Sequence, residues 1–408
     1  MSSKKRILFV DDEQYVLDGL QRLLRPMRSE WDVEFATGGE EALRMLEDKP
    51  YDVIVSDMRM PGLSGDQLLA TVRMRYPGMV RLVLSGQADK QSILTCVGPI
   101  HQFLQKPCDG ETLKATISRT IEMGDLFTDE SLKDIVTELE TLPSLPSHQR
   151  ELLAQFQIPD VSMTHIGGLI SRDIAMTAKI LQLVNSSFFG LCRHVGSPSD
   201  AVHLLGLDTV RSLVTAMQVF SQVVPGEIKG FSQGRLLLHS EEVALMAKKI
   251  ALSEGLPHDM AEMAYLAGLL HDVGELIYAA KRPEQYAEAI ALADSEHIHI
   301  EEAERRVIGA SHGEVGAYLL ALWAFEVPVV DAALYHHCPS KHNASGFSIL
   351  TAVHVADAIV DLGRRSPGGS AEPDVDHAYL ERIGLSERVV VWQEMCSCTA
   401  QNGSKGER

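Results

Sequence analysis

Apolar and polar positions follow two rhythms along the chain. Over residues 1–123, five short runs rich in β-branched residues recur: Arg6–Val10, Trp31–Ala36, Tyr51–Ser56, Val80–Ser85 and Ile100–Leu104. Helically spaced residues lie between them, such as Val16, Leu17, Leu20, Leu23 and Leu24, and later Leu68, Leu69 and Val72. Near-continuous apolar strands alternating with helices predict an α/β, flavodoxin-like unit: a doubly wound, five-stranded parallel sheet covered on both faces. In such sheets functional groups collect at the carboxyl ends of the strands.

Beyond Pro146 the pattern is helical. The clearest runs are Leu152–Phe156, Ile174–Leu183, Ala201–Val219, Val243–Ala251, Met260–Leu270, Val315–Phe325 and Ile349–Ile359. No strand alternation interrupts them, so an all-α domain follows. Between the two regions, Glu111–Met123 reads as a closing helix with Leu113, Ile117 and Ile121 on one stripe. Gly124 interrupts it. Leu132, Ile135, Val136 and Leu139 form a second amphipathic stretch that Pro143 and Pro146 end. The division is an α/β domain at 1–123, a helical linker at 124–140, an all-α domain at 141–365 and an extension at 366–408. The linker is expected to be a plain helix packed on the following domain; a signal-carrying helix and a homodimer seam are the alternatives. In the extension, residues 366–376 read as a loop, Tyr379–Met395 as one or two helices packed back on the domain, and QNGSKGER as disordered. Cys396 and Cys398 alone do not complete a zinc site.

Charge narrows the function. The chain has 408 residues and a net charge of −19. Residues 1–123 hold 16 basic and 18 acidic side chains, whereas residues 124–408 hold 21 and 38. An acidic second half argues against direct nucleic-acid or anionic-membrane binding, which needs clustered Lys and Arg. The start, MSSKKRILFVDDE, enters a strand without a signal-peptide core, and Val315–Phe325 is too short to span a bilayer. A cytoplasmic protein with reduced thiols is expected. Histidine is skewed as well, with fifteen of sixteen lying after residue 123.

The predicted strand ends carry chemistry. Strand 1 ends in Asp11-Asp12, strand 3 in Asp57, strand 4 in Ser85 and strand 5 in Lys106. Clustered carboxylates repel, and a hard cation such as Mg²⁺ relieves that. A hydroxyl and a lysine beside them suit an incoming phosphoryl group.

These residues resemble the receiver domain of two-component response regulators over about residues 4–123. The resemblance implies that Asp57 is the phosphoacceptor. It implies that Mg²⁺ is held by Asp12, Asp57 and the Arg59 backbone carbonyl, with Asp11 in support. Ser85 takes the switch-hydroxyl position, Lys106 contacts the phosphoryl group and Phe103 is the switch aromatic. A histidine kinase is the implied phosphodonor.

In the helical region, His239, His271, Asp272, His312, His336, His337 and Asp357 are set on separate helical segments in the order H…HD…H…HH…D. A bundle can bring such residues together around one or two metals. A metal-activated water there suits phosphoester hydrolysis. Each histidine on its own is more often a hydrogen-bonded core residue.

The segment Leu142–Leu362 resembles the HDOD domain, a relative of the HD phosphohydrolases. The opening LPSLP, RDIAMTAKILQLVNSSFFG, LGLDTVRSL, HDVGEL, SHGEVGAYLLALW and the HH pair carry the likeness. The resemblance implies a protein-interaction and regulatory output that engages another signalling protein. The alternative is a phosphohydrolase using iron, manganese or zinc on cyclic di-GMP or another nucleotide. Two departures weaken that alternative. The lysine of the HDxGK motif is Glu275 here, and CPSKHNASGFS (Cys338–Ser348) stands where the related cyclic-di-GMP hydrolases carry a GYP signature.

Overall fold

The structure is a computed structural model. It describes residues 4–85, 100–106, 108, 110–127, 129–139, 142–143, 146–158, 161–185, 195–220, 228–343, 345–365 and 372–403. The chain forms two compact units. The first comprises Met1–Ile170, Ala175–Val223 and Tyr318–Phe325; the second comprises Ser171–Ile174, Val224–Ala317 and Glu326–Arg408.

The first unit contains every strand among the described residues. These are β1 (Lys5–Val10), β2 (Trp31–Ala36), β3 (Val53–Asp57), β4 (Val80–Ser85) and β5 (Gln102–Gln105). All pairings are parallel, in the order β2-β1-β3-β4-β5. Helices α1 (Gln14–Leu23), α2 (Gly39–Asp48), α3 (Gly65–Arg75) and α4 (Gly110–Gly124) accompany the sheet. Ile7, Leu8, Phe9, Val53 and Ile54 are fully buried, which is why these strands read as apolar runs rather than alternations. Strand β3 starts two residues later than expected and β5 begins at Gln102, where pairing with Leu82 starts.

The linker packs on the following domain as expected, the Phe127 ring lying 5.4 Å from that of Tyr318, and it packs on the preceding sheet as well. Helix α5 (Glu130–Thr137), capped by the Asp129 side chain, docks on the preceding sheet. The buried Arg81 donates through Nη2 to the Thr137 carbonyl at 2.5 Å, and His101 Nε2 lies 2.8 Å from the same oxygen. His101 Nδ1 accepts from the Arg81 backbone N–H, so its Nε2 carries the proton. Burial pushes the Arg81 guanidinium down to about 9 and His101 well below the usual imidazole range. Two buried donors thus find one helix-end carbonyl, and this fixes the helix.

Helices α6 (Pro146–Gln155), α7 (Met163–Ser171), α8 (Ile174–Val184), α9 (Pro198–Leu205) and α10 (Leu207–Phe220) follow. Pro146 does not end a helix but opens α6, where its missing N–H costs nothing. The run Ala201–Val219 is two helices. Gly206, at φ +78°, breaks it in a conformation that glycine adopts without strain.

The second unit is helical: α11 (Gln233–Ser253), α12 (His258–Leu270), α13 (Val273–Lys281), α14 (Pro283–Glu296) and α15 (Ile300–Val307), then α17 (Val327–Tyr335), α18 (Ile349–Arg365), α19 (His377–Arg382) and α20 (Arg388–Gly403). Helix α16 (His312–Leu322) starts here and its last turns belong to the first unit. Helices α11, α12, α17 and α18 pack pairwise into a bundle. The tail packs back on this unit, with Trp392 Nε1 donating to Glu254 at 2.9 Å. Helix α20 extends to Gly403, so Gln401–Gly403 are helical rather than disordered. Residues 366–371 and 404–408 and the side chains of Cys396 and Cys398 lie outside the described residues. No helix is long and apolar enough to cross a membrane among the described residues.

Candidate functional site

Two clusters of ionisable groups stand out, one in each unit. The first lies at the carboxyl ends of β1 and β3, as doubly wound topology requires. Lys106 follows β5, and its Nζ lies 2.6 Å from Asp11 Oδ2 and 2.5 Å from Asp57 Oδ1. Burial opposes the Lys106 charge, but the hydrogen bonds to Asp11 and Asp57 outweigh it and raise its pKa. Asp57 Oδ2 accepts from the Arg59 backbone N–H at 2.9 Å, and Asp11 Oδ1 accepts from the Glu13 N–H at 3.0 Å. Asp11 is buried and Asp12 is exposed beside it. Three carboxylates and a backbone carbonyl are hard oxygen donors, the set Mg²⁺ prefers. Phe103 is buried on β5. Ser85 ends β4, opposite Gln105, but its side chain lies outside the described residues.

The second cluster brings all seven His and Asp candidates of the helical region together. His239 comes from α11 and Asp357 from α18, both mid-helix. The other five sit at helix ends: His271-Asp272 between α12 and α13, His312 opening α16, and His336-His337 just past α17. Their donor atoms form two groups: Asp272, His312, His336 and His337, and then His239, His271 and Asp357, with atoms in each group within 4.8 Å of one another. Asp272 lies between them. Its Oδ2 is 3.0 Å from His271 Nε2 and 3.5 Å from His239 Nε2. Its Oδ1 is 3.4 Å from His312 Nε2 and 3.3 Å from His336 Nε2. Asp357 Oδ1 is 3.0 Å from His239 Nε2. A Cβ at Gly274 would lie 1.9 Å from the His312 carbonyl oxygen, so the turn after Asp272 needs a glycine to bring α13 against α16.

Backbone and carboxylate acceptors fix the imidazoles. His271 Nδ1 lies 2.7 Å from the Gly268 carbonyl and His336 Nδ1 lies 2.9 Å from that of Ala333. Glu304 takes His312 Nδ1 at 2.8 Å. A carbonyl only accepts, so Nδ1 of His271 and His336 carries the proton and Nε2 faces the carboxylates. This is the outer-shell arrangement of metal-ligating histidines. His271 Nε2 and Asp272 Oδ1 are buried without a hydrogen-bond partner. Burial disfavours charge at His271 and His312, yet the neighbouring carboxylates outweigh it and hold both well above the usual imidazole range. Burial likewise opposes charge at Asp272 and Asp357, and the histidines hold both well below the carboxylate range. The carboxylates therefore favour positive charge beside them, which protonated imidazoles or a bound cation would supply. The donor set fits iron, manganese or zinc.

His354 shows the other fate of a buried histidine. Its Nδ1 lies 2.6 Å from the His336 carbonyl, and its Nε2 accepts from the Asp376 N–H at 2.9 Å. Both ring nitrogens are satisfied within the fold, so this residue is structural.

The cluster opens into a cavity of about 1220 Å³ lined by His239, Asp272, His337 and Asp357 and by residues of α14 and of the 372–376 segment. Glu275 is on its wall. Desolvation, followed by the charge of Asp272, pushes its carboxyl up to about 8. Burial and the neighbouring Asp272 thus favour the neutral form of Glu275. Sequence reasoning missed Glu304, Asp361 and Arg235. Arg235 alone left a trace, being one helical turn before His239.

Comparison with known proteins agrees with this architecture. Residues 7–118 match the response regulator receiver domain family and residues 142–339 match the HDOD domain family. The hydrogenase transcriptional regulatory protein HoxA of Cupriavidus necator is 35% identical over 160 residues, covering 38% of this chain and 32% of that protein. The chain spans about a third to two fifths of the length of the first curated relatives it matches. The MmoQ response regulator of Methylococcus capsulatus is 26% identical, covering 62% of this chain and 98% of that one, with a TM-score of 0.48. An HDOD domain protein of Geobacter sulfurreducens is 26% identical, covering 72% of this chain and 96% of that one, with a TM-score of 0.38. The chain belongs to the response regulators that join an N-terminal receiver domain to a C-terminal HDOD domain.

Proposed function

We propose that a histidine kinase phosphorylates this chain at Asp57 and that the HDOD domain is the output under its control, engaging another signalling protein. The working division is a receiver at 1–123, a linker at 124–140, the HDOD domain at 141–365 and an extension at 366–408. The observation that carries the reading is Lys106, whose ammonium joins Asp57 and Asp11 at 2.5 and 2.6 Å. An Asp57 carboxylate oxygen attacks phosphorus as the donor's P–N bond breaks, and the departing imidazole takes up a proton. Lys106 offsets the charge that the phosphoryl group adds. Asp11, Asp12, Asp57 and the Arg59 carbonyl would hold Mg²⁺, which when bound neutralises the phosphoryl oxygens. The test is labelling by acetyl phosphate with Mg²⁺. The wild-type chain takes one label and Asp57→Asn takes none; a single persistent label on the variant would overturn the assignment.

A second reading of the output is favoured by one observation, the seven gathered His and Asp side chains, four of which line a large cavity. It makes the HDOD domain a metal-dependent phosphohydrolase acting on a nucleotide. Bound transition metals there supply Lewis-acid activation of a phosphoryl group and its attacking water. His239, His271, His312, His336, His337, Asp272 and Asp357 would hold them, with Asp272 placed to be shared. Elemental analysis of the purified full chain is the check. One or two equivalents of iron, manganese or zinc, lost in His271→Ala, support this reading; a folded, metal-free chain that stays empty after add-back sinks it.

A further inference from the structure

The cavity above the histidine cluster has an unusual charge pattern. Eight carboxylate side chains line it, and among the described residues Arg235 is the one Lys or Arg that does. That arginine is not ion-paired. Its Nη2 donates to the Gly230 carbonyl at 2.8 Å, and no carboxylate of the described residues pairs with it. An arginine beside so many carboxylates would ordinarily be neutralised by one of them. A guanidinium has five N–H donors, and one backbone carbonyl leaves most of them available. Arg235 lies one turn before His239 on α11 and shares its wall of the cavity.

The carboxylates differ in role. Asp272 and Asp357 face the histidines and would be offset by bound metal. Asp294, Glu372 and Asp374 line the cavity outside the cluster, and Asp361 lies 3.7 Å from His239 Nδ1. Like charges beside a phosphate cost energy, so this wall penalises each further negative charge on a ligand.

We infer that Arg235 is the phosphate-recognising residue of the cavity, and that the acidic wall restricts the ligand to one phosphoryl group on a neutral or cationic body. This rests on the phosphohydrolase reading for its metal centre and refines the substrate class. Arg235 holds the phosphoryl oxygens by the bidentate geometry that a guanidinium fork offers. It supplies the cation that Glu275 lacks. The wall favours a positively charged substituent and rejects a second phosphate.

The experiment is calorimetric titration of the Mn²⁺-loaded full chain with three probes: phosphocholine, glycerol phosphate and propanediol bisphosphate. Metal content is measured in parallel. Phosphocholine is expected to bind tightest and the bisphosphate weakest, with the difference shrinking as salt rises. Arg235→Gln should weaken phosphocholine roughly ten- to a hundredfold, the range of a charge-assisted hydrogen bond. Arg235→Lys should restore part of the loss. Both variants should keep the wild-type metal content, because Arg235 is exposed and outside the ligand set. Unchanged affinity in Arg235→Gln, a preference for the bisphosphate, equal binding of phosphocholine and glycerol phosphate, or no binding of any probe would each overturn the inference. A chain that stays metal-free after add-back yet binds phosphocholine through Arg235 would end the hydrolase reading and leave the Arg235 assignment standing.

Discussion

Glu304 accepts two hydrogen bonds from His312 through one oxygen: the backbone N–H and Nδ1 both lie 2.8 Å from Oε2. Glu304 is completely buried, and its other oxygen has no partner. The pair sets both the ring orientation and the tautomer of His312, so Nε2 is turned to Asp272. Removing such an outer-shell partner typically costs about 10- to 100-fold in metal affinity. Glu304→Ala should show that loss in competition with a chelator, and Glu304→Gln a smaller one. Wild-type affinity in a folded Glu304→Ala chain would mean that the ring is oriented by packing alone.

Lys179 is a buried cation in the first unit. Its Nζ sits 5.1 Å from the Trp323 ring centroid, and burial pushes its ammonium down to about 7. The unfolded chain holds that proton up to about pH 10. Between about pH 7 and 10 the unfolded state therefore binds more protons than the folded one, and stability rises with pH across that window. Below pH 7 the whole cost is present. Lys179→Met should remove this rise, so that its stability relative to the wild type is highest near pH 6 and falls by of order 4 kcal/mol towards pH 10. Urea titrations of both proteins at pH 6, 8 and 10 are the check; a gap that ignores pH would refute the argument.

Gln102 on β5 donates through Nε2 to the Ala321 carbonyl near the end of α16 at 2.7 Å, and both lie in the first unit. The side chain is buried and borders a cavity of about 190 Å³ that also touches Phe103 and Trp323. The Ala321 oxygen keeps a second donor, the Ala324 N–H at 3.1 Å. Gln102→Ala should therefore destabilise the first unit by about 1–2 kcal/mol, a buried hydrogen bond without a fully orphaned acceptor. A denaturation midpoint identical to the wild type would show that the bond contributes nothing net.

Much of this was legible in the sequence where one residue type has one use. The sheet was readable because both its faces are covered, so Ile7–Val10 and Val53–Val55 had to be uniformly apolar. Asp11, Asp57 and Lys106 were readable because parallel strands deliver their carboxyl ends to one rim. The seven His and Asp candidates were readable as an ordered set, but their convergence was not, since it depends on how α11, α12, α17 and α18 cross. The break at Gly206 was hidden because the apolar stripe continues on both sides of it. The docking of α5 escaped because its partners, Arg81 and His101, are polar residues at positions that look exposed. The protonation of Glu275 depends on burial beside Asp272, which spacing along the chain does not report.

The placement of Asp272 has a consequence for how the histidine cluster loads. Each of its oxygens serves a different pair of imidazoles. An ion held on one side would draw electron density from the carboxylate and change what the other side can offer. The two halves would then fill as coupled sites rather than as independent ones, so occupancy would respond to free metal in a way that a single ion's affinity does not describe. One side chain, contributed by a two-residue turn between helices, makes the centre a unit.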